Sequence, residues 1–362
     1  MKPVVVVAGT RPEIIKMSPI IRALTKSQMP FVFVHCGQHY DYNMAQQFIE
    51  DLELPSPDYS FKIEASSPGA QTAEIMLKTD QLLEKIEPSI VLVEGDTNSV
   101  LAAALAANKR FIPIGHMEAG LRSFDFRMPE EFNRRLTDHI SEYLFAPTER
   151  AKTNLIKENV WGKIFITGNT AIDAVIEHLP IAEKKSSIME KIPFETFALA
   201  TAHRAENVDN AAVLESFMYV FSKSPIPIVY PMHPRTKKRL QENNMLAKME
   251  ELKNLLILPP SGYLDFLFLM KNCKLIITDS GGIQEEATAP SIRKPVLVLR
   301  LSTERPEAAE AGFAKVVGTD KHVILAAIEE AVKTQVELPC ASPFGDGTAA
   351  HKTIEILKKS FA

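Results

Sequence analysis

Apolar runs of four or five residues, such as Val4–Ala8, Phe31–His35 and Ile90–Val93, recur along the sequence, with turns and stretches of helical spacing between them. A strand with one wet face alternates apolar and polar residues, whereas a run apolar at every position belongs to a strand buried on both faces. That is the condition of a parallel sheet covered by helices on either side, and it confines the chain to the α/β class. In the first half the expected order is strand Pro3–Ala8, helix Pro12–Lys26, strands Phe31–His35 and Ile90–Val93, helix Asn98–Ala107, and strand Pro113–His116. Helix Glu130–Ser141, strand Leu144–Ala146, helix Glu149–Glu158 and a strand near Ile164–Thr167 follow. The charged, weakly patterned segment Glu177–Lys191 reads as a surface connection between domains.

A second series then has strands Phe197–Thr201, Ile226–Tyr230, Leu255–Leu258, Leu275–Thr278, Val296–Leu299 and Lys315–Val317. Helices Asn210–Phe221, Arg235–Asn243, Tyr263–Lys271 and Gly282–Ala289 lie between them, and a last helix, Thr348–Lys359, can pack on either domain. With 362 residues the chain has the length of two domains of roughly 150 residues each. Two doubly wound domains in tandem are expected to bind their ligand at the carboxyl ends of the strands, in a cleft between them.

Composition narrows the ligand. A net charge of −4 lacks the basic footprint that nucleic acid or a membrane surface requires. Cys36, Cys273 and Cys340 are odd in number and far apart, which fits neither a disulfide framework nor a metal site, so cytoplasm is the expected location. The opening run Val4–Ala8 is too short for a signal-peptide core or a membrane span.

Several strand ends carry groups suited to an anion. GTRPEIIK, Gly9–Lys16, joins a turn glycine to a helix start with Arg11 and Lys16 near its positive end, although it lacks either glycine-rich nucleotide fingerprint. TDSGGIQEEA, Thr278–Ala287, is sharper. Ser280, Gly281 and Gly282 lead straight into a helix, where a diphosphate could approach the bare backbone, and Glu285 or Glu286 could take ribose hydroxyls. A plain N-cap with acidic residues in the first turn would look similar, except that a cap does not call for two adjacent glycines. STERPEA supplies Arg305, ATAHRAEN supplies His203 and Arg204, and PMHPR supplies His233.

Carboxylates gather in the first half. Asp96 ends a strand before an alanine-rich helix, where capping would explain it as well as chemistry would. HMEAGLRSFDFRMPEEFNRR, His116–Arg135, brings Glu118 and Glu131 among arginines. Read alone, that stretch could be a solvated helix face. Drawn together, the three carboxylates would raise the proton affinity of at least one of them, which suits general acid–base work. The histidines are not at ligand spacing, so no metal is expected.

In order and across nearly the whole chain, GTRPEIIK, GQHYDYNM, GDTNSVLAAALAA, HMEAGLRSFDFRMPEEFNRRLTD, GNTAIDAV, HRAEN, TDSGGIQEEA and STERPEA resemble the non-hydrolysing UDP-N-acetylglucosamine 2-epimerases. The resemblance implies a GT-B fold of two Rossmann-like domains, bounded here at 1–168 (sugar side) and 169–343 (UDP side), with 344–362 returning to the first domain. It implies a homodimer that uses no cofactor. The reaction would interconvert UDP-GlcNAc and UDP-ManNAc by eliminating UDP to give 2-acetamidoglucal and then re-adding it. By the family pattern Asp96, Glu118, Glu131 and His203 carry the chemistry, without division into base and acid. Arg11, Lys16, Ser280, Gly281, Gly282 and Arg305 hold the phosphates, Glu286 the ribose, and Phe266 lies near the uracil.

The chain departs from the pattern at Ser261, where many bacterial members have Gln. The segment from Glu286 to Arg305 looks longer than usual, with Arg293 at a common Gly. Ala70 takes the place of a basic residue before Gln71-Thr72, while Gln38 and His39 match the other half of the bacterial activator motif. A sister epimerase of a UDP-diacetamido uronic acid, or a GT-B glycosyltransferase, would share much of this outline.

Overall fold

The computed structural model describes residues 2–37, 42–334 and 337–361; Gln38 and His39 lie outside the described residues. The chain divides into two compact units, residues 1–174 with 344–362, and residues 175–343.

The first unit is built on a seven-stranded, all-parallel sheet: β1 (Val4–Ala8), β2 (Phe31–His35), β3 (Tyr59–Ser60), β4 (Ile90–Glu94), β5 (Ile114–Met117), β6 (Tyr143–Ala146) and β7 (Lys163–Ile166). Its order is β3-β2-β1-β4-β5-β6-β7. The central strands β1 and β4 are buried at every position, as their unbroken apolar sequence requires. Val5, Val7, Val91 and Val93 pack with Leu82 and Leu83 of the helix Pro68–Ile86 and with buried alanines of the helix Asn98–Lys109. Each large side chain fully buried in this way contributes about 1.5–3 kcal/mol.

The second unit has a six-stranded parallel sheet: β8 (Ala198–Thr201), β9 (Ile228–Pro231), β10 (Leu255–Leu258), β11 (Leu275–Thr278), β12 (Val296–Val298) and β13 (Ala314–Val316). The order β10-β9-β8-β11-β12-β13 is that of a dinucleotide-binding sheet. Phe217 and Phe221 from the helix Ala211–Lys223 and Ile324 and Ile328 from the helix Lys321–Lys333 cover one face. Two such sheets in one chain make the GT-B class expected from the sequence. Among the described residues no helix is long and apolar enough to cross a membrane.

In both sheets the order reverses at the centre, between β1 and β4 and between β8 and β11. Loops leave such a reversal in opposite directions and open a crevice at the strands' carboxyl ends.

Two expectations are corrected. The segment Glu177–Lys191 is no surface connection: the helix Thr170–Lys185 runs through most of it despite Pro180, and Ile188–Lys191 form a short 3-10 turn. Val175, His178, Leu179 and Ala182 are buried at helical spacing, so the charges mark only the wet face. Between β2 and β4 the helices Tyr42–Asp51 and Pro68–Ile86 stand where no helix was expected. The C-terminal helix Ala349–Phe361 belongs to the first unit, its opening N–H groups of Ala349 and Ala350 donating to the Asp173 carboxylate.

Candidate active site

In the first unit the reversal lies between Gly9-Thr10-Arg11 and Gly95-Asp96-Thr97. Gly9 is there because the loops meet: a Cβ on it would come within 2.1 Å of Ser99 Oγ. Glu13 fastens the two loops. Its carboxylate accepts from Gly9 N–H (2.7 Å), Thr10 Oγ1 (2.8 Å) and Thr97 Oγ1 (2.8 Å). Burial raises its proton affinity and, with the nearby Asp96 charge, outweighs those donors. Arg11 begins the helix Arg11–Lys26, its guanidinium 5.9 Å from the centre of the Phe48 ring. A cavity of about 650 Å³ opens beside Arg11, lined also by Gln71 and Thr97–Ser99.

Glu118 directly follows β5 in a left-handed backbone conformation (φ 64°). The turn is held by Gly120, whose N–H donates to Asp138 (3.2 Å) and whose φ of 84° and proximity to the Ala151 carbonyl leave no room for a Cβ. Lys16 Nζ donates to Glu118 Oε2 (2.7 Å) and also faces Glu94 Oε1 (3.1 Å), while Asn169 Nδ2 donates to Glu118 Oε1 (3.2 Å). Lys16, expected as a phosphate ligand, is therefore placed between carboxylates.

Asp96 and Glu131 meet on one guanidinium: Arg134 Nη2 lies 2.6 Å from Asp96 Oδ2 and Nη1 lies 3.0 Å from Glu131 Oε2. Asp96 does not cap the following helix, whose N-cap is Thr97. Glu131 is fully buried and accepts from Ser123 N–H, Ser123 Oγ and Arg135 as well. Burial favours its protonated form, but these donors and Arg134 outweigh that and leave its proton affinity below the ordinary carboxylate range. Burial raises the proton affinity of two neighbouring carboxyls, Glu94 and Glu13.

Arg122 is structural. Its fully buried guanidinium donates to Asp138 and, with two nitrogens, to Glu158. Asp138 also faces His116 Nδ1 at 2.7 Å, and His116 Nε2 lies 2.8 Å from the Gly95 carbonyl, so this network ties the Glu118 turn to the Asp96 loop. Arg127 pairs with Asp125 near the surface.

In the second unit the reversal lies between His203-Arg204 after β8 and Asp279–Gly282 after β11. Asp279, which has no role in the sequence reading, is fully buried and accepts from the N–H groups of His203 and Arg204 and from Asn207 Nδ2. Asn207 donates onward to the Leu299 carbonyl, joining three strand ends. The His203 ring lies 5.4 Å from that of His233, centre to centre. Burial depresses its proton affinity, against Asp279 and with the help of His233, Arg204 and Arg235.

The Ser280 side chain makes no cap hydrogen bond to the helix Gly281–Glu286. Gly281 and Gly282 have ordinary φ values, and a Cβ on Gly282 would meet nothing within 4 Å, while one on Gly281 would meet only Glu304 Oε2 at 3.8 Å. These glycines are therefore not demanded by backbone geometry; they leave the backbone bare. Arg305 is largely buried and its Nε pairs with Glu285. Glu304 pairs with Arg300 (3.2 Å) and also faces Arg305 and Arg204. Glu286 and Phe266 are half-buried, Phe266 on the helix Tyr263–Asn272. Arg293 adopts φ 48° where glycine would be at ease and donates to the carbonyls of Leu338 and Pro339.

Glu94 precedes Gly95-Asp96 and Asp279 precedes Ser280-Gly281, so adjacency to the motifs was the available signal for both. Arg134 stands three residues from Glu131 in the same motif, which points to a role in orienting that carboxylate, whereas its pairing with Asp96 and that of Asn169 with Glu118 join distant segments and left no signal. The described site residues thus fall into two sets, carboxylates held in ion pairs at one sheet and bare backbone near arginines at the other.

A family model described as UDP-N-acetylglucosamine 2-epimerase matches residues 22–358. The UDP-N-acetylglucosamine 2-epimerase of Methanocaldococcus jannaschii is 45% identical over 361 residues, covering 97% of this chain and 98% of that one. The crystal structure of the M. jannaschii UDP-GlcNAc 2-epimerase in complex with UDP-GlcNAc and UDP superposes with a TM-score of 0.87 at 45% identity, over 99% of this chain and all of the other. The UDP-2,3-diacetamido-2,3-dideoxy-D-glucuronate 2-epimerase of Pseudomonas aeruginosa is 36% identical over 98% of this chain and 99% of its own. The chain belongs to the UDP-N-acetylglucosamine 2-epimerase family, a family of isomerases.

Proposed function

We propose that this protein interconverts UDP-GlcNAc and UDP-ManNAc by eliminating UDP to 2-acetamidoglucal and adding it back with a proton on the opposite face. The observation that carries this reading is the 45% identity to the M. jannaschii UDP-N-acetylglucosamine 2-epimerase along nearly the full length of both chains. Inversion at C2 needs a base for the C2 proton, an acid for the other face, and donors for the departing diphosphate. In this reading Asp96 and Glu118 exchange the protons. Glu131 acts beside them, through Arg134, on the placing of Asp96. His203 serves the reaction as a predominantly neutral imidazole.

Arg11, Lys16, Ser280, Gly281, Gly282 and Arg305 hold the UDP phosphates, with Glu286 on the ribose and Phe266 at the uracil. A diphosphate competes with Glu118 for the Lys16 ammonium and with Glu285 for the Arg305 guanidinium. Binding would therefore redistribute these ion pairs. The open backbone at Gly281 and Gly282 supports close approach by the phosphates.

The uronic-acid epimerase reading is kept because of the P. aeruginosa relative. Turnover assays with each UDP-sugar separate the two: no conversion of UDP-GlcNAc, with conversion of the diacetamido uronic acid, would replace the first by the second. A homodimer in the cytoplasm supplying a cell-surface polysaccharide pathway completes the reading. A mass of one chain in light scattering would remove the dimer from it.

A further inference from the structure

One strand away from Glu118 lies an ionisable side chain that this reaction scheme does not use. Glu94 ends β4 and Glu118 follows β5, the strand paired beside it. Glu94 is 2% exposed. The Lys16 ammonium faces both, 3.1 Å from Glu94 and 2.7 Å from Glu118, and the two carboxyls are within hydrogen-bonding reach of one another. One cation can balance one carboxylate. A second ionised carboxylate here would be buried beside like charge, which is costly.

We propose that Glu94 is a positioning residue for Glu118: it keeps its proton and donates it in a hydrogen bond to the Glu118 carboxylate, so that Glu94, Lys16 and Asn169 fix that carboxylate as three donors. The left-handed backbone sets where Glu118 starts, and the donors set where its oxygens point. The charged groups facing Glu94 are Lys16 and Glu13, both on the helix Arg11–Lys26, and Glu118. Burial is the largest influence on its proton affinity and raises it; Lys16 opposes, while Glu118 and Glu13 add to it. As pH rises and Glu94 loses its proton, a donor becomes a second negative charge beside Glu118, so turnover falls on the alkaline side.

This inference rests on the epimerase reading, and its test has an arm that does not. Carboxyl carbon NMR of protein labelled at glutamate, titrated without substrate, should show Glu94 losing its proton above the exposed glutamates. In Glu94→Gln that step should vanish and the Glu118 step should move by about one pH unit or more. Titration of Glu94 with the exposed glutamates, or an unmoved Glu118, would overturn the proposal.

In the second arm, UDP-GlcNAc turnover is followed against pH. Glu94→Leu should lose roughly ten- to a hundredfold below the native alkaline fall, where native Glu94 holds its proton, and should lack that fall. Glu94→Gln, which keeps a donor, should lose less and should lack the native alkaline fall. Retention of that fall in both variants contradicts the proposal. If native protein turns over no UDP-GlcNAc at any pH, the epimerase reading fails while the titration still decides the pair. If Glu94→Gln does not fold, Glu118→Gln decides, because neutralising its neighbour must lower the Glu94 step, and an unchanged step refutes the pairing.

Discussion

The two sheets reverse their strand order in the same way, yet the loops at the two reversals are provisioned differently. Beside β1 and β4 carboxylates are held against cations: Asp96 after β4 and Glu131 of the helix Pro129–Ile140 on Arg134, and Glu118 after the neighbouring β5 on Lys16. Around β8 and β11 a buried carboxylate, Asp279, spends its hydrogen bonds on backbone N–H groups, and the next turn offers bare backbone at Gly281 and Gly282. In the proposed reading one frame thus carries the proton exchange in one unit and most of the anion donors in the other, because the frame fixes only where the loops emerge.

The widest test of that contrast is catalytic. Glu118→Gln and Asp96→Asn should each lower turnover about 10²- to 10⁴-fold, with little change in KM. Steady-state kinetics reading a rise in KM alone would make the first unit a binding surface like the second.

Next comes stability. Arg305→Ala leaves Glu285 buried without its guanidinium and should cost about 3–5 kcal/mol in chemical denaturation. A loss confined to UDP affinity would show that Arg305 is held chiefly for the ligand.

A smaller effect separates glycine as geometry from glycine as open backbone. Gly282→Ala meets no atom within 4 Å and sits in a helix, so the fold should gain about 0.5–1 kcal/mol. UDP binding by calorimetry should meanwhile weaken, by about tenfold if the methyl displaces one phosphate hydrogen bond to the backbone. Equal affinity would move the phosphates away from this turn.

The slightest effects are those of pH on unfolding. Glu131 and Asp138 have lowered folded proton affinities, so their share of stability is present above about pH 4 and is lost as pH falls through their folded values. Glu13, raised by burial, acts in the other sense: its share is present below about pH 4 and is lost as pH rises through its folded value. Urea midpoints against pH should therefore decline less steeply toward neutrality in Glu13→Gln than in native protein.

The sheets were legible because strands buried on both faces have no alternation to hide in; Leu255–Leu258 and Leu275–Thr278 appear with the bounds their apolar runs imply. Helices whose wet faces are heavily charged were not. In Pro68–Ile86 the buried positions are few, Ile75, Thr79, Leu82 and Leu83; in Thr170–Lys185 the buried start GNTAIDAV reads as a helix, and charge with an internal proline obscured its continuation past Val175. The candidate site was legible as motifs because each follows a strand end. Its pairings were not, since Lys16 and Glu118 stand 102 residues apart and only the folded sheet brings them together.

Proton NMR of UDP-GlcNAc in D₂O with the protein and no acceptor tests the central claim most directly. The account predicts that UDP-ManNAc appears and that each turnover exchanges the C2 proton for solvent deuterium, so the C2–H signal fades from both epimers. Retention of the C2 proton, or release of UDP without any epimer, would contradict it.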